Sequence, residues 1–438
     1  WSSLVGNRYI IIGAGVAGIS AAEQIRRLSP DAEIQVINGE NYPFYRRLSL
    51  STYLQGSTEL DSLIVKQPQE YETLNIDVIQ GRVEHINSQA SKIVLTNGTE
   101  LSYTGLVIAT GGHAIAPPIE GLHLNGVRLG YWDMDDTLWY EEQFKTVKNA
   151  VVVGAGVLGL ELADCCSRKG LNVTMLQLGD RLGEPLTDKD AGEILGKRVK
   201  DTGVDYRLLT SATEIIGDEH GNVVAVRASN GEEFPAEFVG ICCGIRPNAE
   251  FLEGSGILIE RGCIVVDEYL RTNIDNIYAA GDCTWVQGGM MVGRRPNRTW
   301  QVATMQGMTA AANLMGEENL YDEGLFYNAG VLYDIPYTLL GVFDPPEGQG
   351  FTSRTYDPGK GDYNYFKLTF KDGKLVGALL MGRQKRTQIL RKIMEGKMDV
   401  AGYEDQLMDN KFKPKHLKNV STAGDRDVEE KLATYSSR

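Results

Sequence analysis

Cysteine is scarce in this chain and is missing altogether from its first 164 residues. None of the cysteines forms a C-x-x-C pair or a metal-ligand cluster, so we expect buried, unreactive thiols and no disulfide framework. The five histidines are scattered, which leaves the sequence without a metal site or an obvious general base. Any chemistry is therefore left to a bound cofactor. The six cysteines are Cys165, Cys166, Cys242, Cys243, Cys263 and Cys283.

Long hydrophobic runs are absent as well. No stretch approaches the ~18–20 apolar residues that a membrane span requires, and the N-terminus lacks the pattern of a signal peptide, so we expect a cytoplasmic protein. The chain begins at Trp1, and some upstream sequence can be missing. Its 438 residues exceed what one hydrophobic core usually serves and predict roughly two to four domains.

Positive charge is in deficit, because the net charge is −14, and this argues against a nucleic acid partner. The deficit is uneven. Residues 383–438 hold 13 Lys and Arg against 9 Asp and Glu, a net +4 that leaves −18 for the rest of the chain. This basic C-terminal region could attract an acidic protein, or it could be a solvated surface without a partner.

What the chain does have is two glycine-rich fingerprints of one kind. Each follows an apolar, β-branched run and opens a segment with helical periodicity. The first glycine permits a tight turn, the second lets the backbone approach a pyrophosphate, and the third lets the helix pack on the strand. A single motif also occurs for packing alone, but its repetition predicts two bound dinucleotides. The first fingerprint is Gly13, Gly15 and Gly18, and the second is Gly154, Gly156 and Gly159.

The residues at the ends of the strands that follow each fingerprint are candidates for the adenosine ribose. After the first fingerprint, Glu40 lies about 20 residues past the third glycine, and Asn38 is its neighbouring alternative. After the second fingerprint the corresponding residue is Gln177, which is neither an acid nor an arginine. Because no cation waits there for a 2′-phosphate, NADH is favoured over NADPH. Glu161, two residues past Gly159, is expected to face the same cleft.

The remainder of the chain changes pattern twice. Residues 83–98 read as a β-meander with an Asn-Gly turn. From about Tyr327 alternating strands appear, followed by an amphipathic helix from Thr387 to about Met394, which predicts a third, α+β domain. From Lys411 onward the sequence is polar and charged and is expected to be extended unless bound.

Five motifs in order resemble the pyridine nucleotide-disulfide oxidoreductase superfamily, the flavoproteins with two dinucleotide-binding domains. They are the two fingerprints, Ala109-Thr110-Gly111, Gly244-x-Arg246-Pro247-Asn248 and Ala280-Gly281-Asp282. The resemblance implies an α/β fold: two Rossmann-like three-layer (ββα) domains, the NAD domain inserted in a discontinuous FAD domain, and a C-terminal α+β domain that in relatives often forms the homodimer interface. The implied boundaries are 1–115 and 246–325 for FAD, 116–245 for NAD(P), 326–410 for the C-terminal domain and 411–438 for a charged tail.

The resemblance also assigns candidate binding residues and no metal site. Arg47 could instead be a plain surface cation, and Trp300, with its neighbour Gln301, could border the flavin or merely pack. The candidate residues for FAD are Gly13, Gly15, Gly18, Asn38, Glu40, Arg47, Val83, Thr110, Gly111, Gly281, Asp282 and Trp300. Those for NAD(P) are Gly154, Gly156, Gly159, Glu161, Gln177 and Gly244.

The segment from Pro43 to Leu54 is similar to the Pro-x-Tyr-x-Arg-x-x-Leu-Ser pattern of rubredoxin reductases, ferredoxin reductases and nitrite reductase flavoprotein modules. Disulfide-reducing relatives carry a redox cysteine pair in this region, and coenzyme A-disulfide reductases, peroxidases and water-forming oxidases carry one cysteine nearby. This chain carries none. It also has Thr52 where many rubredoxin and ferredoxin reductases have lysine, which favours the nitrite-reductase-like branch.

The implied function is FAD-dependent oxidation of NAD(P)H. Hydride would pass between the nicotinamide and flavin N5 when the two rings stack. With no thiol relay, the expected acceptor is a one-electron protein carrier: ferredoxin, rubredoxin or an iron–sulfur subunit. The alternatives are an NAD(P)H oxidase or peroxidase, a flavoprotein relay subunit of a larger redox complex, and the flavoprotein module of a nitrite or sulfite reductase.

Overall fold

The computed structural model describes residues 7–289, 291–292, 295–356, 363–382, 386–409 and 412. The chain divides into two compact units, of which the first ends at Gly324 and the second begins at Leu325. The predicted α/β class is confirmed, because the first unit is built around two separate five-stranded parallel sheets. Among the described residues, no helix has both the length and the apolar character needed to span a bilayer.

The first parallel sheet, which we call the first sheet, gathers strands from two distant parts of the chain. Its inner strands are buried apolar runs, as expected for a parallel sheet covered on both faces. The last strand in sequence pairs at the edge, more than 160 residues after its neighbour. In spatial order the strands are Ile277–Ala279, Gly105–Ile108, Arg8–Ile12, Glu33–Asn38 and Ile76–Gln80.

Helices and smaller sheets surround the first sheet. The helix after the first fingerprint, Val16–Leu28, packs against the long helix Trp300–Leu314. Gly307 permits this contact, because a Cβ added there would lie 2.1 Å from Ala17 O. The helices are Val16–Leu28, Leu50–Leu54, Pro68–Thr73 and Trp300–Leu314, with 3-10 turns at Arg47–Ser49, Leu60–Leu63 and Glu250–Leu252. The predicted meander is an antiparallel sheet of Val83–Asn87, Lys92–Leu95 and Glu100–Ser102. The other small sheets join Gly112–Ala114 with Ile245–Pro247, Ile259–Glu260 with Cys263–Val266 and Thr284–Val286, and Met291–Val292 with Arg295–Pro296.

The second parallel sheet repeats the plan around the second fingerprint. Its central strand pairs with neighbours on both sides, and the helix of the fingerprint follows directly. In spatial order its strands are Asp205–Arg207, Asn172–Leu176, Asn149–Val153, Phe238–Ile241 and Val127–Leu129. Its helices are Met134–Gln143, Val157–Arg168 and Lys189–Asp201, and an antiparallel sheet of Ala212–Gly217, Val223–Ala228 and Glu233–Pro235 lies beside it.

The second unit is an antiparallel sheet covered by a helix, as the alternating pattern predicts. The amphipathic helix Thr387–Glu395 buries Leu390 and Ile393 against Leu340, Phe366 and Leu368 of the sheet. In spatial order the strands are Tyr327–Leu332, Ile335–Gly341, Lys374–Met381, Tyr365–Lys371 and Thr352–Tyr356, and a short helix spans Glu404–Leu407. The charged tail predicted for 411–438 lies outside the described residues, apart from Phe412.

Candidate dinucleotide sites

The first fingerprint forms a tight cradle between the strand Arg8–Ile12 and the helix Val16–Leu28. Gly13 has φ +109°, and a Cβ on it would sit 2.3 Å from Ala109 O. A Cβ on Gly18 would sit 1.9 Å from Gly13 O, whereas one on Gly15 would meet nothing within 4 Å. Two glycines are therefore required by packing, and the middle one leaves open space where a phosphate can approach.

The second fingerprint has the same geometry. A Cβ on Gly154, at φ +97°, would lie 2.4 Å from Cys242 O, and one on Gly159 would lie 1.9 Å from Gly154 O. At Gly156 the nearest atom to an added Cβ is Glu184 O, at 3.6 Å. The agreement at both loops fits two dinucleotides, because only the glycine that would face the ligand is free of close protein neighbours.

The remaining motifs of the first sheet converge on this cradle. Thr110 Oγ1 donates to Asn248 O at 2.7 Å, and Asn248 Nδ2 donates back to Thr110 O at 2.8 Å, which ties residues 109–111 to the Arg-Pro-Asn motif. Gly281, at φ +82°, would place a Cβ 3.0 Å from Ala17 Cβ. Gly111, at φ +62°, has no atom within 4 Å of an added Cβ. The fold thus brings four sequence motifs to one end of the first sheet.

Asp282 and two unpartnered polar atoms mark the space beside this cradle. Burial raises the pKa of the Asp282 carboxyl, and the guanidinium groups of Arg298 and Arg47 partly oppose that shift. Arg298 Nε and Asn297 Oδ1 are buried without a hydrogen-bond partner among the described residues. Buried polar atoms normally find partners, so a polar ligand such as the flavin nucleotide fits here. Sequence reasoning missed Asn297 and Arg298, although they lie three and two residues before Trp300.

Arg47 lies at the centre of a network and is not a free surface cation. Its guanidinium donates to Glu40 Oε1 at 2.5 Å and to the carbonyl of Trp132. The guanidinium also lies over the Trp132 ring, 5.7 Å from its centroid. Tyr45 donates its hydroxyl to Glu40 Oε2 at 2.6 Å, so both carboxylate oxygens of Glu40 are engaged within the protein.

The other candidate residues for FAD lie outside the ion pair of Arg47 and Glu40. Asn38 Nδ2 donates to Tyr42 O at 2.9 Å, while its Oδ1 accepts from the Glu40 amide at 3.1 Å. Trp300 begins the helix Trp300–Leu314 and stacks on Phe44, with ring centroids 5.7 Å apart. Val83 is half-buried at the start of its strand, and Gln301 is exposed. Their binding roles stay predictions.

At the second cradle, Gln177 and Glu161 occupy different positions. Gln177 Oε1 accepts from the Ala155 amide at 2.9 Å, so the side chain folds back on the fingerprint loop. Glu161 is half-buried on the helix Val157–Arg168, where burial, together with the nearby Asp164 carboxylate, raises the pKa of its carboxyl to about 7. Gly244, at φ +116°, precedes the strand Ile245–Pro247.

All six cysteines are free and five are buried. Cys165 contacts the segment Pro43–Leu54, because its thiol donates to Ser51 O at 3.6 Å. Burial raises the pKa of Cys165, and the carboxylates of Asp164 and Glu161 raise it further. Burial also raises the pKa values of Cys243 and Cys283 to about 11. These thiols are protonated at neutral pH and are poor nucleophiles.

Comparison with known proteins agrees with this geometry. The family model described as pyridine nucleotide-disulphide oxidoreductase matches residues 7–307. An NADH oxidase of Methanocaldococcus jannaschii is 30% identical over 399 residues, covering 86% of this chain and 88% of the relative. A nitrite reductase [NAD(P)H] of Bacillus subtilis is 29% identical and covers 90% of this chain, but the chain spans only 48% of that protein's length. The crystal structure of a ferredoxin reductase from Rhodopseudomonas palustris superimposes with a TM-score of 0.82 at 26% identity, covering 93% of this chain and 99% of that one.

Proposed function

Because the chain belongs to the pyridine nucleotide-disulphide oxidoreductase family and is an FAD-dependent NAD(P)H oxidoreductase, we propose that it passes electrons from NADH to a one-electron protein carrier. The carrier is a ferredoxin, a rubredoxin or an iron–sulfur subunit. The observation that carries the proposal is the combination of two intact dinucleotide cradles with no reactive thiol in the segment Pro43–Leu54. Without a thiol to receive the electron pair, the electrons must leave for an external acceptor.

The residues have separate tasks in this proposal. Gly15 and Gly156 give the backbone access to the two pyrophosphates. Asp282, whose raised pKa reflects a desolvated carboxyl, binds hydroxyl groups of the flavin nucleotide, while Arg47 and Arg298 balance its charge. Glu161, on the helix Val157–Arg168 that opens at the second fingerprint, faces the second cradle in this proposal. When bound, FAD supplies the two-electron to one-electron conversion that no amino acid side chain provides.

Trp300 and Arg47 set the surroundings of the flavin end. The Phe44–Trp300 stack gives a rigid apolar wall, and the ion pair of Arg47 with Glu40 holds the segment Pro43–Leu54 against the end of the first sheet. The role of these residues is to position the cofactor and to exclude water from it. Proton transfer through a protein group is not required for hydride transfer between two ring systems.

The carrier as acceptor is supported by the name of the Rhodopseudomonas palustris relative, a ferredoxin reductase that this chain covers almost completely. Two arginines of the basic C-terminal region are already engaged within the protein. In the part of it that the structure describes, Arg386 is buried, donates to Leu407 O and lies over the Phe366 ring. Arg391 is paired with Glu395 at 2.6 Å. Docking through this region, a homodimer and a cytoplasmic location all stay predictions.

Two other functions have support from particular relatives. The NADH oxidase of Methanocaldococcus jannaschii favours oxygen as a direct acceptor. The nitrite reductase of Bacillus subtilis favours a relay role within a larger assembly, since this chain spans about half its length. Both alternatives share the cofactors and differ only in where the electrons go.

The deciding experiment is anaerobic reduction of the purified holoprotein with NADH and NADPH separately, followed by stopped-flow reoxidation. We expect NADH to bleach the flavin absorbance, and ferredoxin or rubredoxin to restore it faster than air-saturated buffer does. Faster reoxidation by oxygen than by either carrier would favour the oxidase. If neither nucleotide bleaches the flavin, the proposed function is wrong.

A further inference from the structure

The adenosine end of the second cradle lacks the expected acid at its strand end but has one beside it. Gln177 follows the strand Asn172–Leu176, where NADH-preferring sites usually present a carboxylate to the ribose 2′-hydroxyl. Its amide oxygen is already engaged by the Ala155 N–H. What remains of this side chain is the Nε2 group, which donates hydrogen bonds and carries no charge.

Glu184 reaches the same point from farther along the same loop, residues 177–188, which joins the strand Asn172–Leu176 to the helix Lys189–Asp201. A Cβ built on Gly179 would lie 2.7 Å from Gln177 Nε2 and 2.5 Å from Glu184 Oε2. These two side-chain atoms are therefore no more than about 5 Å apart, and both lie beside Gly179, three residues past the strand end at Leu176. The absence of a side chain at Gly179 is what allows both to come so close.

The loop that carries Glu184 is attached to the fingerprint itself. The Gly183 N–H donates to Ala155 O at 2.8 Å, and the Glu184 carbonyl oxygen lies 3.6 Å from a Cβ built on Gly156. Both backbone groups of Ala155 are thus engaged: its N–H donates to Gln177 Oε1, and its carbonyl oxygen accepts from the Gly183 N–H. This fixes the backbone of Glu184 beside the glycine that leaves room for the pyrophosphate.

The carboxylate of Glu184 is exposed and has no hydrogen-bond or ion-pair partner among the described residues. The cations nearest in sequence and along the sheet edge are already engaged. Arg181 donates to Thr187 O and pairs with Asp180, and Arg207 pairs with Asp205 at 2.6 Å. The edge therefore presents an unneutralised negative charge to any ligand that binds there.

Two exposed leucines complete this edge. Leu178 and Leu209 are each 73% exposed, and the Leu209 N–H donates to Gly179 O at 3.0 Å, so the two lie on adjoining segments. Leu209 has φ +52°, a backbone conformation that leucine rarely adopts, and such strain is concentrated at functional sites. An apolar pair beside an acid suits an adenosine, which has a flat apolar base and a hydroxylated sugar.

We propose that Glu184, and not the residue at the strand end, selects NADH over NADPH by accepting the 2′-hydroxyl of the adenosine ribose and repelling a 2′-phosphate. The inference rests on the proposed function, because it requires the nicotinamide nucleotide to bind at the second cradle. Leu178 and Leu209 contact the adenine in the same arrangement. Gln177 has a different task, which is to hold the fingerprint loop.

The test is calorimetric titration of the holoprotein with NAD⁺ and NADP⁺, which reads binding without turnover. The variants are Glu184→Gln, Glu184→Arg and Gln177→Ala, and the control is Glu219→Gln, which removes the same charge from a side chain that is 88% exposed in a distant turn. We expect the ratio of the Kd for NADP⁺ to that for NAD⁺ to fall at least tenfold in Glu184→Gln and further in Glu184→Arg. It should stay within about twofold in the control. For wild type the preference for NAD⁺ should shrink as salt is added, since screening weakens charge repulsion.

Three results would overturn the inference. An unchanged ratio in Glu184→Gln, with NAD⁺ still binding to wild type, removes Glu184 from selectivity and leaves the proposed function intact. A larger loss of discrimination in Gln177→Ala than in Glu184→Gln assigns selectivity to the strand end. A wild-type holoprotein that binds neither nucleotide overturns the proposed function and this inference together.

Discussion

Arg47 and Glu40, seven residues apart, form a 2.5 Å ion pair in which both side chains are more than half buried. Removing one partner should therefore lower the free energy of unfolding by more than the loss of an exposed ion pair does. We expect Arg47→Met to lower the free energy of unfolding of the apoprotein by about 1–3 kcal/mol, because the Glu40 carboxylate loses a partner and the Trp132 carbonyl loses a donor. Urea denaturation measures this change.

The matched control for this ion pair is Arg8→Met, which removes an exposed ion pair between two neighbouring strands of the first sheet. Arg8 and Glu33 are 2.7 Å apart with side chains 36% and 44% exposed. Because solvent screens such a pair, its loss should lower the free energy of unfolding by less than about 1 kcal/mol. Equal losses in the two variants would show that the Arg47 pair contributes no more to stability than an exposed pair does.

The glycines of both fingerprints make a second prediction, because they differ in what an added methyl would meet. Gly15 and Gly156 have ordinary extended backbone angles and no close neighbour, so Gly15→Ala should change the stability of the apoprotein by less than about 1 kcal/mol. The methyl group would nevertheless occupy the space of the pyrophosphate. We expect Gly15→Ala to lower FAD affinity and Gly156→Ala to lower NAD⁺ affinity, each at least tenfold.

Gly18→Ala is the contrasting variant. Its methyl would lie 1.9 Å from Gly13 O, so the helix must shift and the apoprotein itself should be destabilised by more than about 2 kcal/mol. Thermal unfolding of apoproteins and flavin fluorescence on titration separate the two effects. If Gly15→Ala binds FAD as tightly as wild type, the first fingerprint does not approach the pyrophosphate.

The fingerprints were predictable from the sequence because a glycine requirement is local. A strand, a turn at positive φ and a helix that touches the turn are all encoded within about ten residues around Gly13, and again around Gly154. The α/β class followed from two such units. The antiparallel second unit was predictable from its alternating pattern and from the helix that begins at Thr387.

The polar partners of the sites were not predictable, because folding brings them together from distant loops. Trp132 contacts Arg47 across 85 residues, and Asn248 reaches Thr110 across 138. Nothing in the local sequence of Glu184 distinguishes it from a solvated loop acid. The sequence also could not show that Glu40 and Gln177, two candidate ribose residues, already have partners in the protein.

Glu161 gives a prediction of pH dependence. Burial and Asp164 raise its pKa from the ordinary 4.5 to about 7, so the folded protein binds this proton more tightly than the unfolded chain does. The resulting stability is fully present below pH 4.5 and is lost as the pH rises through 7. We expect the free energy of unfolding of wild type to fall by up to about 3 kcal/mol relative to Glu161→Gln across this window. Urea denaturation of both apoproteins between pH 4 and 8 measures the difference, and parallel curves would contradict it.

Cys165 provides the most direct check that electrons do not pass through sulfur. It is the cysteine whose thiol contacts the segment Pro43–Leu54, through Ser51 O, and its pKa is raised by burial. A protonated thiol cannot attack or relay, so Cys165→Ala should retain at least half of the wild-type rate of flavin reduction by NADH and of reoxidation by the carrier. Cys166→Ala, which removes the neighbouring buried thiol on the same helix, is the control for lost packing. Loss of reoxidation in Cys165→Ala alone, with flavin reduction and stability unchanged, would show that the electrons leave through this sulfur after all.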